Sequence, residues 1–121
     1  MDRRTQGQIS HHAGSAAELR ISQDYERRGF TVARRWRGSA GEIDLIARGA
    51  DGIVFVEVKK SRSLSGAAER LGRGQMERIL AAAGEFLAGE PDGQLTDVRF
   101  DVALMDETGR YEIIENAFGQ F

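Results

Sequence analysis

The sequence predicts one α/β domain, a mixed β-sheet flanked by helices, with the element order α-β-β-β-α-β-β. Three observations predict it. Five short segments carry the alternation or the β-branched richness of strands. Two longer segments carry apolar residues at helical spacing, one ahead of the strands and one between the third and the fourth. The chain has 121 residues and no cysteine, which suits one compact core without disulfides or thiolate metal sites.

The elements follow in order. Residues 1–13 are polar and aperiodic, and are expected to be a flexible tail ahead of a single domain over residues 14–121. The N-terminus shows no apolar signal region. No apolar run approaches the ~20 residues needed to span a bilayer. His11 and His12 are ligand types, but adjacent histidines on a tail seldom have a role. Residues 15–28 read as a helix, because Ala17, Ile21 and Tyr25 recur at helical spacing. Ser15 suits its N-cap, with Glu18 in capping-box position, and Gly29 ends it. Strands are expected over 30–36, 41–47 and 53–60, the last two around the turn-rich ARGADG. Residues 67–88 read as one long helix with a stripe of Leu71, Met76, Ile79, Leu80, Ala83, Phe86 and Leu87. Gly72, Gly74 and Gly84 weaken it and blur its start. VRFDVALM and YEIIENAF, joined by DETG, complete the sheet.

Net charge is -2, from 17 basic and 19 acidic residues, so the whole molecule does not advertise a nucleic-acid binder. The distribution says more. Residues 1–62 hold 12 Lys/Arg against 8 Asp/Glu, and residues 63–121 hold 5 against 11. A basic first half can give an acidic protein a local phosphate-facing surface. The absence of cysteine suits a reducing compartment, and a cytoplasmic location is expected.

The hairpin over residues 41–60 raises the chemical question, because acids sit inside strands made for burial. Side chains alternate along a strand, so Glu42, Asp44 and Ile46 should share a face, as should Phe55, Glu57 and Lys59. If Gly49 pairs with Gly52, then Asp44 faces Glu57 and Glu42 faces Lys59. Two facing carboxylates repel and lose hydration. A shared proton, a basic neighbour or a cation can relieve them. Oxygen ligands from Asp44 and Glu57, with the Val58 carbonyl, suit Mg2+ or Mn2+. Such a cation makes the water it holds more acidic. Lys59 can then orient the nucleophile or stabilise charge on a phosphate. A solvated sheet face decorated with ion pairs accounts for Glu42 and Lys59 but leaves Asp44 against Glu57 unexplained.

At these residues the chain resembles the PD-(D/E)xK nuclease superfamily, whose motif is an acid on one strand and E-x-K on the next, here Asp44 and Glu57-Val58-Lys59. Residues 14–118 also resemble a small bacterial family, YraN-type, of uncharacterised endonuclease-like proteins. The matching pieces are A-E at 17 and 18, GEIDLI at 41–46, VFVEVK at 54–59, RFDV at 99–102 and Asn116 to Phe118. The resemblance implies a restriction-endonuclease-like fold, close to that of Holliday-junction resolvases. It also implies that Glu18 joins Asp44, Glu57 and Lys59 as a catalytic candidate; by itself Glu18 is equally a capping residue. Three positions depart from the family's usual pattern: Ala17 replaces Gly, Arg35 replaces Asn, and Gln75 replaces a basic residue. The E-x-K core is intact, so these departures bear on substrate handling more than on metal binding.

Arg34, Arg35, Arg37, Lys60, Arg62 and Arg73 are candidate phosphate contacts or, alternatively, solvated surface charges. Trp36 either stacks on an exposed base or packs against the sheet. Asp101 is expected to be structural or paired with Arg99. The expected function is metal-dependent hydrolysis of DNA phosphodiester bonds, on branched or repair intermediates. The competing expectations are a non-catalytic nucleic-acid-binding module and a protein-interaction domain with a vestigial site. The expected partner is nucleic acid, DNA before RNA, with a homodimer admitted and no membrane.

Overall fold

The computed structural model describes residues 16–69 and 72–118. The tail with His11 and His12, the Ser15 cap and the stripe residue Leu71 lie outside the described residues. Residues 16–27 form helix α1. It leads into strands β1 (Thr31–Arg37), β2 (Glu42–Gly49) and β3 (Gly52–Lys60). Two helices follow, α2 (Leu64–Glu69) and α3 (Arg73–Leu87). A short 3-10 turn, Gly93–Leu95, precedes β4 (Val98–Met105) and β5 (Tyr111–Ile114).

The five strands lie in the order β1-β2-β3-β4-β5. Every pair is antiparallel except β3 with β4, which is parallel. A parallel pair needs a crossover, and α2 and α3 supply it. The expected mixed sheet is therefore present, with two corrections. The last strand, expected over 111–118, ends at Ile114, and residues 115–118 form a turn. The helix expected over 67–88 is two helices. Gly72 adopts an extended conformation (φ -98, ψ 166) as the cap of α3, so the helical path restarts there. A residue without a side chain gives up helix cheaply.

Both faces of the sheet are covered, which is why β3 reads IVFVEV without strict alternation. On one face α1 packs Ala17, Ile21 and Tyr25 against Leu45, Ala47, Val54, Val56, Ala103 and Met105. On the other, α3 packs Ala82, Ala83 and Leu87 against Ile46, Ile53 and Phe55. Next to it α2 sets Ala67 over Val102 and Leu104. A buried bond ties the α1 layer to the sheet: the Tyr25 hydroxyl donates to Asp101 at 2.6 Å.

The β2–β3 register follows the turn. Gly49 pairs with Gly52 and the ladder runs to Leu45 opposite Val56. Glycine is required at 52, where φ is +146 and an added Cβ would lie 2.3 Å from the Asp97 carbonyl oxygen. The expected pairing of Glu42 with Lys59 does not form. The β2–β3 ladder stops after Leu45, and Glu42 instead pairs with Arg37 of β1. Alternation also fails near Asp44, since Ile43 and Ile46 pack in the same cluster beneath α3. On β1 the matching irregularity is Arg35, whose φ is +61. It lies between the pairs Arg34–Leu45 and Trp36–Ile43, level with Asp44. These paired distortions open a fork between β2 and β3.

Candidate functional site

The fork is where the acids meet. Beyond the last ladder pair, the Val58 N–H donates to Asp44 Oδ2 at 2.8 Å. The carboxylate thus replaces a carbonyl that β2 no longer offers. An extended residue presents its N–H and C=O to the same edge, so the Val58 carbonyl also leaves β3 on the Asp44 side. Glu57 is only 6 % exposed. It points toward α3, where Gln75 Nε2 donates to Glu57 Oε2 at 2.7 Å.

Asp44, bonded to the amide of the residue after Glu57, feels the Glu57 carboxyl directly. Burial first, and then the bond and charge of Glu57, push the Asp44 carboxyl up to about 8. The Val58 amide and the nearby Lys59 charge act in the opposite direction. At neutral pH the Asp44 carboxyl therefore keeps a proton. A proton in the pair is one of the three expected ways to relieve facing carboxylates. A divalent cation can take its place.

Glu18 approaches from α1 and is 7 % exposed. Burial and then the Asp44 charge raise its carboxyl above the usual range. Arg35 counters them, with Nε donating to Glu18 Oε1 at 2.9 Å. The side chain of a β1 residue thus neutralises an acid on α1, beside an acid on β2.

The remaining candidates spread around this fork. Lys59 is half-buried, and its charge acts on Asp44. Arg34 is exposed, and Arg37 reaches Glu42 at 3.1 Å. Trp36 is half-buried, with its ring edge-on to Phe86 at 5.4 Å between centroids. Lys60 and Arg62 are exposed at the exit of β3, and Arg73 is exposed at the first residue of α3. Sequence reasoning marks Gln75 only as a departure and does not place it in the site. The signal available for it is a polar side chain in the first turn of a helix whose apolar stripe faces the strand bearing Glu57. Asp101, 1 % exposed, takes bonds from Tyr25, from Arg99 at 2.8 and 2.9 Å, and from the Asn116 amide at 3.0 Å. It is fully engaged in holding α1, β4 and the segment after β5 together.

The donor chemistry fits a hard cation. Two carboxylates and a backbone carbonyl are oxygen donors of the kind Mg2+ and Mn2+ accept, with waters or substrate completing the shell. Among the described residues no three side chains of His, Cys, Asp or Glu converge on one position. The third protein donor would therefore come from the backbone.

Fold and fork together define a class: a small α/β domain with an acid on one strand, E-x-K on its neighbour, and a gap between them. Comparison with known proteins places it further. The pattern of a family described as "Uncharacterised protein family UPF0102" matches residues 17–105. A UPF0102 protein of Ruegeria pomeroyi is 65 % identical over 116 residues, covering 95 % of this chain and 94 % of its own. One from Cereibacter sphaeroides is 64 % identical over 113 residues, covering 93 % and 97 %. A more distant one, from Dinoroseobacter shibae, is 44 % identical over 115 residues, covering 94 % and 86 %. The chain belongs to the UPF0102 family. Among the described residues, no helix is long and apolar enough to cross a membrane.

Proposed function

We propose that this domain is a metal-dependent nuclease that hydrolyses DNA phosphodiester bonds, acting on branched or repair intermediates. The observation that carries the reading is the placement of Asp44 at the strand fork, its carboxylate on the Val58 amide between Glu57 and Lys59. Asp44, Glu57 and the Val58 carbonyl would hold Mg2+ or Mn2+. When bound, the cation supplies Lewis acidity toward the phosphate and makes water a better nucleophile.

The chain's own residues do the rest. Asp44 gives up its proton on loading, because only the carboxylate is a good ligand. The Val58 amide holds Asp44 Oδ2, and Gln75 holds Glu57 Oε2, so each acid is fixed in orientation before the cation arrives. Lys59 orients the nucleophile and stabilises charge developing on the phosphate. Lys60, Arg62 and Arg73 have no ion-pair partner among the described residues and are the phosphate contacts nearest the exit of β3 and the start of α3. A DNA substrate implies a cytoplasmic site of action.

The test uses labelled linear, flap and four-way-junction DNAs with Mn2+. Wild type is expected to cut at least one of them, whereas Asp44→Asn, Glu57→Gln and Lys59→Ala lose cutting. Lys59→Ala should keep cation binding. Wild-type binding without cutting across the panel would instead support a non-catalytic nucleic-acid-binding module. If wild type neither bound nor cut any DNA or RNA, a protein-interaction domain would be the better reading.

A further inference from the structure

We propose that Arg35 is a built-in counter-cation that keeps Glu18 out of the metal's ligand set, so that this chain takes one divalent cation on Asp44 and Glu57. The inference rests on the metal-dependent reading above. Three independent features of the fold lead to it.

The first is the backbone. Arg35 sits in the middle of β1 with φ +61. For a residue with a Cβ that conformation costs on the order of 1–2 kcal/mol, so it persists only where surrounding contacts enforce it. The second is position. Arg35 lies level with Asp44 across the β1–β2 pair, yet its guanidinium is bonded to Glu18 on α1. The distortion that puts Trp36 on the α3 side also sends Arg35 to the α1 side. The third is the state of Glu18. It is buried, and the guanidinium that holds it belongs to the residue level with Asp44. Removing Arg35 would leave a third carboxylate beside the pair without that counter-charge.

A buried carboxylate held by a guanidinium is costly to detach. Arg35 therefore fixes the composition of the site by a competing bond, acting through Glu18 rather than on substrate. It is a positioning residue. A purely structural clamp between α1 and β1 makes a different prediction: its loss would change stability and leave cation affinity alone.

The experiment follows Mn2+ binding to the full chain by loss of the free-ion electron paramagnetic resonance signal. Asn and Gly both tolerate the left-handed conformation, so Arg35→Asn and Arg35→Gly are expected to stay folded. A thermal melt in chelator checks this. Wild type should bind a single Mn2+. Both variants should bind roughly tenfold tighter, the order expected when a further carboxylate joins the ligand set of a divalent cation. A second Mn2+ that appears only in these variants supports the proposal equally. The gain must depend on Glu18: in a Glu18→Gln background, Arg35→Asn should shift affinity less than about twofold. Unchanged or weaker binding by folded Arg35→Asn overturns the proposal, as does a tenfold gain that persists with Glu18→Gln. Absence of binding in wild type and every variant overturns the metal-dependent reading itself, and this inference with it.

Discussion

Replacing Asp44 with Asn should make the metal-free protein more stable while destroying its capacity to bind a cation. Without metal, the pair as built is a liability. Asp44 is raised to about 8 from 3.8, chiefly by burial and then by Glu57. The folded state therefore holds a proton that the unfolded chain releases. Below about pH 4 both states carry it, and above about pH 8 neither does. Between these limits the folded state binds more protons, so wild-type stability falls as pH rises. Once the pair is ionised, two like charges this close repel by a few kcal/mol at an effective dielectric near 20. Lys59 offsets part of this and burial adds to it, so ionising the pair costs the folded state at least about 2–3 kcal/mol. The substituted amide would mimic protonated Asp44, accepting from the Val58 N–H and donating to Glu57. Urea denaturation in chelator at pH 5, 7 and 9 should show the two proteins close together at pH 5. By pH 9 the variant should lead by about 2–3 kcal/mol, equivalent to roughly 10–20 °C in Tm. Saturating Mn2+ should narrow or reverse the gap, because it stabilises only the protein that binds it. A variant less stable than wild type at pH 9 in chelator would refute the reasoning.

Other outcomes follow from the same contacts. Gln75→Ala frees one Glu57 oxygen, and Mn2+ affinity measured by calorimetry should fall about tenfold with the fold intact. Tyr25→Phe removes a 2.6 Å bond to a buried carboxylate and should cost about 2 kcal/mol in denaturation, with no effect on cation affinity. Replacing Lys60, Arg62 and Arg73 together by Ala should weaken DNA binding in Ca2+ and flatten the plot of log affinity against log salt by roughly two to three units. Arg37→Ala should flatten it less, since Arg37 is already paired with Glu42.

Much of the fold is legible in the sequence because its signals are local. The strand-forming run at 98–105 and the turn between Gly49 and Gly52 set strands and register directly. The Asp44–Glu57 encounter is legible too, since it needs only a register and a face. The Glu42–Lys59 relation is not, because strand counting assumes the ladder continues. No sequence pattern marks where β2 leaves β3, or that Arg35 adopts a conformation that Asn or Gly adopts more readily. Gln75 escapes for another reason. Its meeting with Glu57 depends on how α3 restarts at Gly72, a tertiary fact that helical periodicity does not contain. The roles of Arg35 and Arg37 as internal ion-pair partners are likewise hidden, since an arginine bound to phosphate and one bound to a neighbouring acid look alike in sequence.

The most direct measurement is titration calorimetry with Mn2+ on wild type, Asp44→Asn and Glu57→Gln, run at pH 7 in two buffers of different ionisation enthalpy. Wild type should bind about one Mn2+ per chain and release about one proton, because Asp44 must ionise to become a ligand. Its affinity should rise with pH up to about 8, where the Asp44 proton is lost in any case. Neither variant should bind detectably. Equal binding by all three proteins, or wild-type binding with no proton released, would contradict a metal centre built on the Asp44–Glu57 pair.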